Sequence, residues 1–272
     1  MKASFTVFNS KKIRYYTEGH ASHCVVLLHG FLESSLIWED FSAVFSKSYK
    51  VICVDLAGHG ESESLAEVNS MNLMADAVVS VLREEKVKSA IVLGHSMGGY
   101  VALALADRYS EFCKGIVLLN STVFADSEEK KADRLRAIRV LEMNPRVFIS
   151  EAIPNLFAKQ NLHLFIEEIE LIKKLALLTS TQGAAACLRG MREREDKRSV
   201  LSKGRFPVMV LAGKYDNVVP EEKSKEMFES GTRVQGVILT NSGHMSFIEE
   251  RDACIHHLSD FFKEVFSIPD NR

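Results

Sequence analysis

The stretch Ala90-Ile91-Val92-Leu93-Gly94-His95-Ser96-Met97-Gly98-Gly99 constrains this chain more than any other. An apolar run of strand character leads into Gly-x-Ser-x-Gly, and the helix-forming run Tyr100-Val101-Ala102-Leu103-Ala104-Leu105-Ala106 leaves it. The reading is a buried strand, a sharp turn and a helix. A serine at such a bend sits in a cramped backbone conformation with its hydroxyl outward, and Gly94 and Gly98 withhold the side chains that would crowd it. The first turn of the helix points free amides at whatever Ser96 meets.

Similar strand signals recur along the chain. Residues 5–8 and 13–16 flank Asn9-Ser10-Lys11-Lys12 and predict an opening hairpin. Cys24-Val25-Val26-Leu27-Leu28, Val51-Ile52-Cys53-Val54 and Gly115-Ile116-Val117-Leu118-Leu119 are continuously apolar, as strands covered on both faces are. Between them, Trp38, Phe41, Val44 and Phe45 fall at helical spacing, and Asn69 or Ser70 can cap a helix carrying Met71, Met74, Ala75, Val78, Val79 and Leu82. This alternation predicts an α/β fold with a doubly wound, mostly parallel sheet. In such sheets the active site lies at the carboxyl ends of the strands.

From residue 121 to residue 202 no buried strand is apparent and helical periodicity takes over, as in Leu135, Ile138 and Leu141. The expected organisation is a core of residues 1–120 and 203–272 with a helical cap of residues 121–202 lying over the strand ends. The charge runs Glu128-Glu129-Lys130-Lys131 and Arg192-Glu193-Arg194-Glu195-Asp196-Lys197-Arg198 read as solvated helix faces or loop ends. Strands resume at residues 206–211 and 234–239, and a helix over residues 254–266 closes the chain.

Composition narrows the partners. A chain of 272 residues with 46% hydrophobic residues can bury one large core, and a net charge of −2 offers no field for nucleic acid or anionic lipid. Neither a signal peptide nor a run of membrane-spanning length is evident, so a cytoplasmic protein is expected, either monomer or homodimer. The five cysteines show no metal-ligand spacing and read as buried reduced thiols; no metal and no cofactor is expected.

Ser96 needs a base, because a hydroxyl stays protonated at neutral pH, and histidine has the proton affinity for the task. His244, in Asn241-Ser242-Gly243-His244-Met245, follows the last strand and is therefore at the correct sheet edge. Asp216, in Gly213-Lys214-Tyr215-Asp216-Asn217, follows the strand before it, where a carboxylate can accept the other imidazole N–H. The order Ser, Asp, His differs from that of the two other major serine triads. Asp55, which also ends a strand, reads as structural; so do His29 and His59, which are expected to hold loops, and His95, which points away if Ser96 points up. His256 and His257 are assigned to the last helix as surface or packing residues.

Five motifs in this order resemble the α/β-hydrolase fold superfamily over nearly the whole chain: His29-Gly30-Phe31, Asp55-Leu56-Ala57-Gly58-His59-Gly60-Glu61-Ser62, Gly94-His95-Ser96-Met97-Gly98-Gly99, Gly213-Lys214-Tyr215-Asp216 and Gly243-His244. The resemblance implies an eight-stranded sheet, a helical cap between the sixth and seventh strands, and an oxyanion hole from the backbone amides of Phe31 and Met97.

With serine at the elbow, the resemblance excludes the dehalogenases and epoxide hydrolases that use aspartate there. It leaves acyl transfer: a serine esterase acting on small, apolar ester substrates. Carbon-carbon bond hydrolases, lactonases, menaquinone-pathway synthases and cofactor-free haloperoxidases share the triad, and a ligand receptor without turnover is the alternative of another class. Tyr100 stands where the synthases carry arginine, and Met245 stands where the carbon-carbon hydrolases carry tryptophan. Both departures favour the esterase. Phe31, Phe148, Phe157, Leu162, Phe165 and Met245 are the candidate substrate-binding residues.

Overall fold

The computed structural model describes residues 1–269. Its strands are β1 (Lys2–Phe8), β2 (Lys11–Glu18), β3 (Cys24–Leu28), β4 (Lys50–Val54), β5 (Ala90–His95), β6 (Cys113–Leu119), β7 (Val208–Gly213) and β8 (Val234–Leu239). They form one eight-stranded sheet in the order β1-β2-β4-β3-β5-β6-β7-β8. Only β2 runs against its neighbours. The β1–β2 hairpin turns on Asn9 and Ser10, both with φ positive at 49° and 62°, the handedness that matches strand twist.

Helices connect the parallel strands: α1 (Glu39–Phe45), α2 (Met71–Glu84) and α3 (Met97–Arg108) before β6. The segment between β6 and β7 holds α4 (Glu128–Met143), α5 (Pro145–Ala152), α6 (Ile166–Ala176), α7 (Thr181–Arg192) and α8 (Arg198–Ser202). Beyond β7 come α9 (Glu221–Phe228), α10 (Ser246–Glu249) and α11 (Arg251–Ser267). Every residue of β3, β5 and β7 is buried, which is why those strands read as unbroken apolar runs. Ser70 caps α2 by accepting a hydrogen bond from the Leu73 amide. Trp38 ends a short 3-10 turn, Ser35–Trp38, and α1 starts after it, with buried Phe41 edge-on to Trp38 and Phe45 edge-on to Phe41. Among the described residues no helix is long and apolar enough to cross a membrane.

From β3 the chain passes to β4 on one side and then returns across to β5 on the other, so the winding reverses between β3 and β5. A crevice opens outside the carboxyl ends at such a point. The loop after β3 and the turn after β5 meet there.

The run 192–198 is largely the loop between α7 and α8, one of the two readings its charge allowed; Glu193, Glu195, Asp196 and Arg198 are exposed, while Arg194 and Lys197 are turned inward. Arg194 pairs with the buried Asp126 at 2.6 Å, donates to the Phe124 carbonyl and lies 4.1 Å from the Tyr100 ring centroid. Lys197 bonds Asp107 of α3 at 2.9 Å. Charge density along a sequence cannot reveal a partner that distant in the chain.

Candidate active site

Ser96 stands between β5 and α3 with φ 48° and ψ −113°, a conformation that costs a non-glycine residue about 1–3 kcal/mol. Three hydrogen bonds hold it there: the Ser96 amide donates to Leu119, the Gly99 amide donates to the Ser96 carbonyl, and Ser121 Oγ donates to that carbonyl at 2.8 Å. The glycines serve close approach. A Cβ on Gly94 would lie 2.3 Å from the Gly98 carbonyl carbon, one on Gly98 would lie 2.3 Å from the Leu28 oxygen, and one on Gly99 would strike Ser121.

His244 Nε2 lies 2.8 Å from Ser96 Oγ, and His244 Nδ1 lies 2.8 Å from Asp216 Oδ2. The three side chains that sequence order singled out thus form one hydrogen-bonded line. Asp216 Oδ1 accepts from the Val218 and Val219 amides at 2.7 and 2.9 Å, and Oδ2 also accepts from Asn120 Nδ2 at 3.0 Å. Burial opposes charge on Asp216, but His244 and these donors outweigh it and hold the carboxyl below its usual range. Asn120, itself at φ 47°, also donates to the Gly243 carbonyl and accepts from Ser246 Oγ. Its position directly after β6 was the available signal, since Asp216 and His244 also follow strand ends.

The expected oxyanion donors are the amides of Phe31 and Met97. Met97 opens α3, where the first amides have no helical acceptor, and among the described residues neither amide has a hydrogen-bond partner. The loop bearing Phe31 is tied by histidines in the structural role expected of them. His59 Nε2 accepts from the Leu32 amide at 3.0 Å, and His29 Nε2 accepts from the Leu56 amide at 2.9 Å. Both rings must be neutral to accept, and burial indeed lowers both pKa values, that of His59 to about 3. Asp55 accepts from Ser35 and the Glu61 amide and is likewise structural.

His95 and Glu33 form a buried pair that the sequence did not announce. The two ring nitrogens of His95 face acceptors only: Glu33 at 3.1 Å and the His244 carbonyl at 2.9 Å. Glu33 also accepts from the Gly30 amide at 2.5 Å. The pair therefore joins the Phe31 loop, the Ser96 turn and the His244 loop. Burial disfavours the charge on His95, yet Glu33 overcomes it and raises the imidazole pKa; burial disfavours the charge on Glu33, and His95 overcomes it and lowers the carboxyl pKa.

The raised His95 value stabilises the fold fully below the ordinary 6.5 and loses effect as pH rises through the raised pKa. The lowered Glu33 value stabilises above the ordinary 4.5 and loses effect as pH falls through the lowered pKa. Between those limits both contribute. Glu33→Gln, which strands a buried imidazolium, is expected to cost about 3 kcal/mol in urea unfolding near pH 5.5, and less at about pH 9. An equal loss at both pH values would contradict a charged pair.

A cavity of about 160 Å³ opens at Ser96 and His244. Phe31 and Phe148 border it, together with Ile153, Leu156 and Val218. The other candidate pocket residues lie elsewhere. Phe157 is buried against Phe165, ring centroids 6.1 Å apart, and Leu162 packs with them on the core; Met245 is fully buried at the start of α10. Their apolar surface is spent on seating the helical segment and the His244 loop. Lys130 and Arg134 of α4 do border the cavity, although the sequence reading placed Lys130 in a solvated run.

Residues 24–251 match the family described as alpha/beta hydrolase fold. The chain belongs to the alpha/beta hydrolase fold family. Among solved alpha/beta hydrolase relatives, a thermophilic esterase from Thermogutta terrifontis superposes with a TM-score of 0.90 at 28% identity, covering 97% of this chain and 98% of that one. A 3-oxoadipate enol-lactonase 2 from Acinetobacter baylyi is 27% identical over 92% of this chain and 93% of its own length. A dihydrolipoyllysine-residue acetyltransferase component of an acetoin cleaving system from Pseudomonas putida is 26% identical over 90% of this chain, which spans only 65% of that protein.

Proposed function

We propose that this alpha/beta hydrolase is a serine hydrolase that cleaves carboxylic esters of small, largely apolar substrates through an acyl-serine intermediate. The observation that carries the reading is the unbroken line from Ser96 Oγ through His244 to Asp216, both links 2.8 Å long, opening on a cavity. Ser96 Oγ attacks the ester carbonyl carbon while His244 Nε2 takes its proton, and Asp216 stabilises the imidazolium. The carbonyl oxygen turns anionic against the Phe31 and Met97 amides, donors of a kind worth ~10² to 10³ each in turnover. Collapse expels the alcohol oxygen, which recovers the proton from His244. Water then attacks the acyl-serine, losing a proton to His244, and collapse returns that proton to Ser96 Oγ as the acid leaves.

A lactone is an ester closed into a ring, and the same steps open it with the leaving hydroxyl still attached. The esterase and enol-lactonase relatives support both forms of one reaction. The helices between β6 and β7, taken as a cap of residues 121–202, supply one wall of the pocket.

Purified protein mixed rapidly with nitrophenyl acetate or butyrate should release a burst of nitrophenol comparable to the enzyme present, with the acyl group recovered on the Ser96 peptide. Binding of such esters with no release, or acylation at another residue, would overturn the proposal.

A further inference from the structure

We propose that the substrate carries a carboxylate at the end of its acyl chain and that Lys130 and Arg134 bind it. The inference rests on the ester-cleaving reading of Ser96 and adds the substrate class. Lys130 and Arg134 stand four residues apart on α4, hence on one face, and both border the cavity that contains Ser96 and His244. Two like charges at that spacing repel each other, and each loses water by being partly buried at a cavity that Phe148, Ile153 and Leu156 also border. An anion entering the cavity relieves both costs.

The acidic groups nearby leave that charge unbalanced. Glu33 is matched by His95, and Asp216 by His244. Asp126 is shared by Arg134 and Arg194, one carboxylate between two guanidinium groups. Glu128 and Asp133 on α4 are taken by Lys131 and Arg136. Among the described residues Lys130 has no ion-pair partner. Arg134 spends Nε and Nη2 on Asp126, while Nη1 meets only the thioether of Met191 at 3.5 Å, a weak acceptor that a carboxylate oxygen would better. The cavity therefore offers a nucleophile at one place, an apolar wall, and two cationic donors with spare capacity. That combination fits a short acyl chain ending in a carboxylate better than it fits a neutral one.

The test compares two nitrophenyl esters of equal acyl length, the hydrogen glutarate with its terminal carboxylate and the pentanoate with a methyl there. The quantity read is the ratio of their kcat/KM values, from which any loss of folded protein cancels because both substrates see the same preparation. Wild type should favour the glutarate, and Lys130→Met should lower the ratio about tenfold, as expected for one charge-assisted hydrogen bond. Arg134→Gln should lower it as well. A wild type that favours the pentanoate, or a ratio unchanged in Lys130→Met, overturns the proposal. Release from neither ester defeats the ester-cleaving reading instead; calorimetric titration with monomethyl glutarate then decides, equal affinity for wild type and Lys130→Met counting against the carboxylate site and weaker affinity in the variant counting for it.

Discussion

Ser96→Ala is expected to lower nitrophenyl ester turnover by about 10⁶-fold while leaving the fold intact, the scale of loss seen when a triad serine is removed. The substitution deletes the atom proposed to attack, and nothing nearby replaces it: among the described residues the hydroxyl of Ser121 donates to the Ser96 carbonyl and is occupied. What should remain is the help that the proposed oxyanion donors, the Phe31 and Met97 amides, give to direct attack by water, a residual rate above background. His244 keeps its bond to Asp216 and its backbone ties, so the circular dichroism spectrum should match wild type. Retention of even one part in about a hundred of the wild-type rate would move the nucleophile elsewhere.

Asp216→Asn should cost about 10⁴-fold in kcat, and the reason lies in the donors around the carboxylate. Oδ1 accepts two backbone amides, those of Val218 and Val219, so the single oxygen of an asparagine is drawn to that side. Its NH2 group then faces His244 Nδ1 and Asn120 Nδ2, which were donating to Oδ2. His244 must become an acceptor at Nδ1 and carry its proton on Nε2, aimed at Ser96 Oγ. A ring in that tautomer cannot take the serine proton, and no carboxylate is left to stabilise the imidazolium. Steady-state kinetics on the variant, with a loss below about tenfold, would show that the tautomer is set by something other than Asp216.

Much of this was legible in the chain because the strong signals are local. β3, β5 and β7 announce themselves by unbroken apolar runs, which follow directly from burial on both faces. The rule that strand ends face the crevice then narrows the many acids and histidines to a few, Asp216 and His244 among them. What escaped is pairwise and distant. Glu33 looks like an ordinary loop acid until His95 lies 3.1 Å away, and Asn120 is unremarkable in sequence although it touches the Asp216 carboxylate, the Gly243 carbonyl and Ser246. Periodicity also finds an apolar stripe without saying what it meets. Phe148 borders the cavity while Phe157 and Phe165 pack on the core, and Leu135, at core spacing on α4, is 39% exposed.

Glu249 links two parts of the molecule that a hinged lid would need to separate. One carboxylate oxygen accepts from the Ala158 amide and from Asn161, the other from the Gly243 amide, and the His244 amide donates to the Leu156 carbonyl at 2.7 Å. Residues 156–161 and the loop carrying the proposed base are therefore fastened together. If the helices swung upward at this corner they would drag the imidazole off the serine, so entry of substrate there and readiness to react exclude each other. Any opening that keeps the chemistry armed must leave this corner closed.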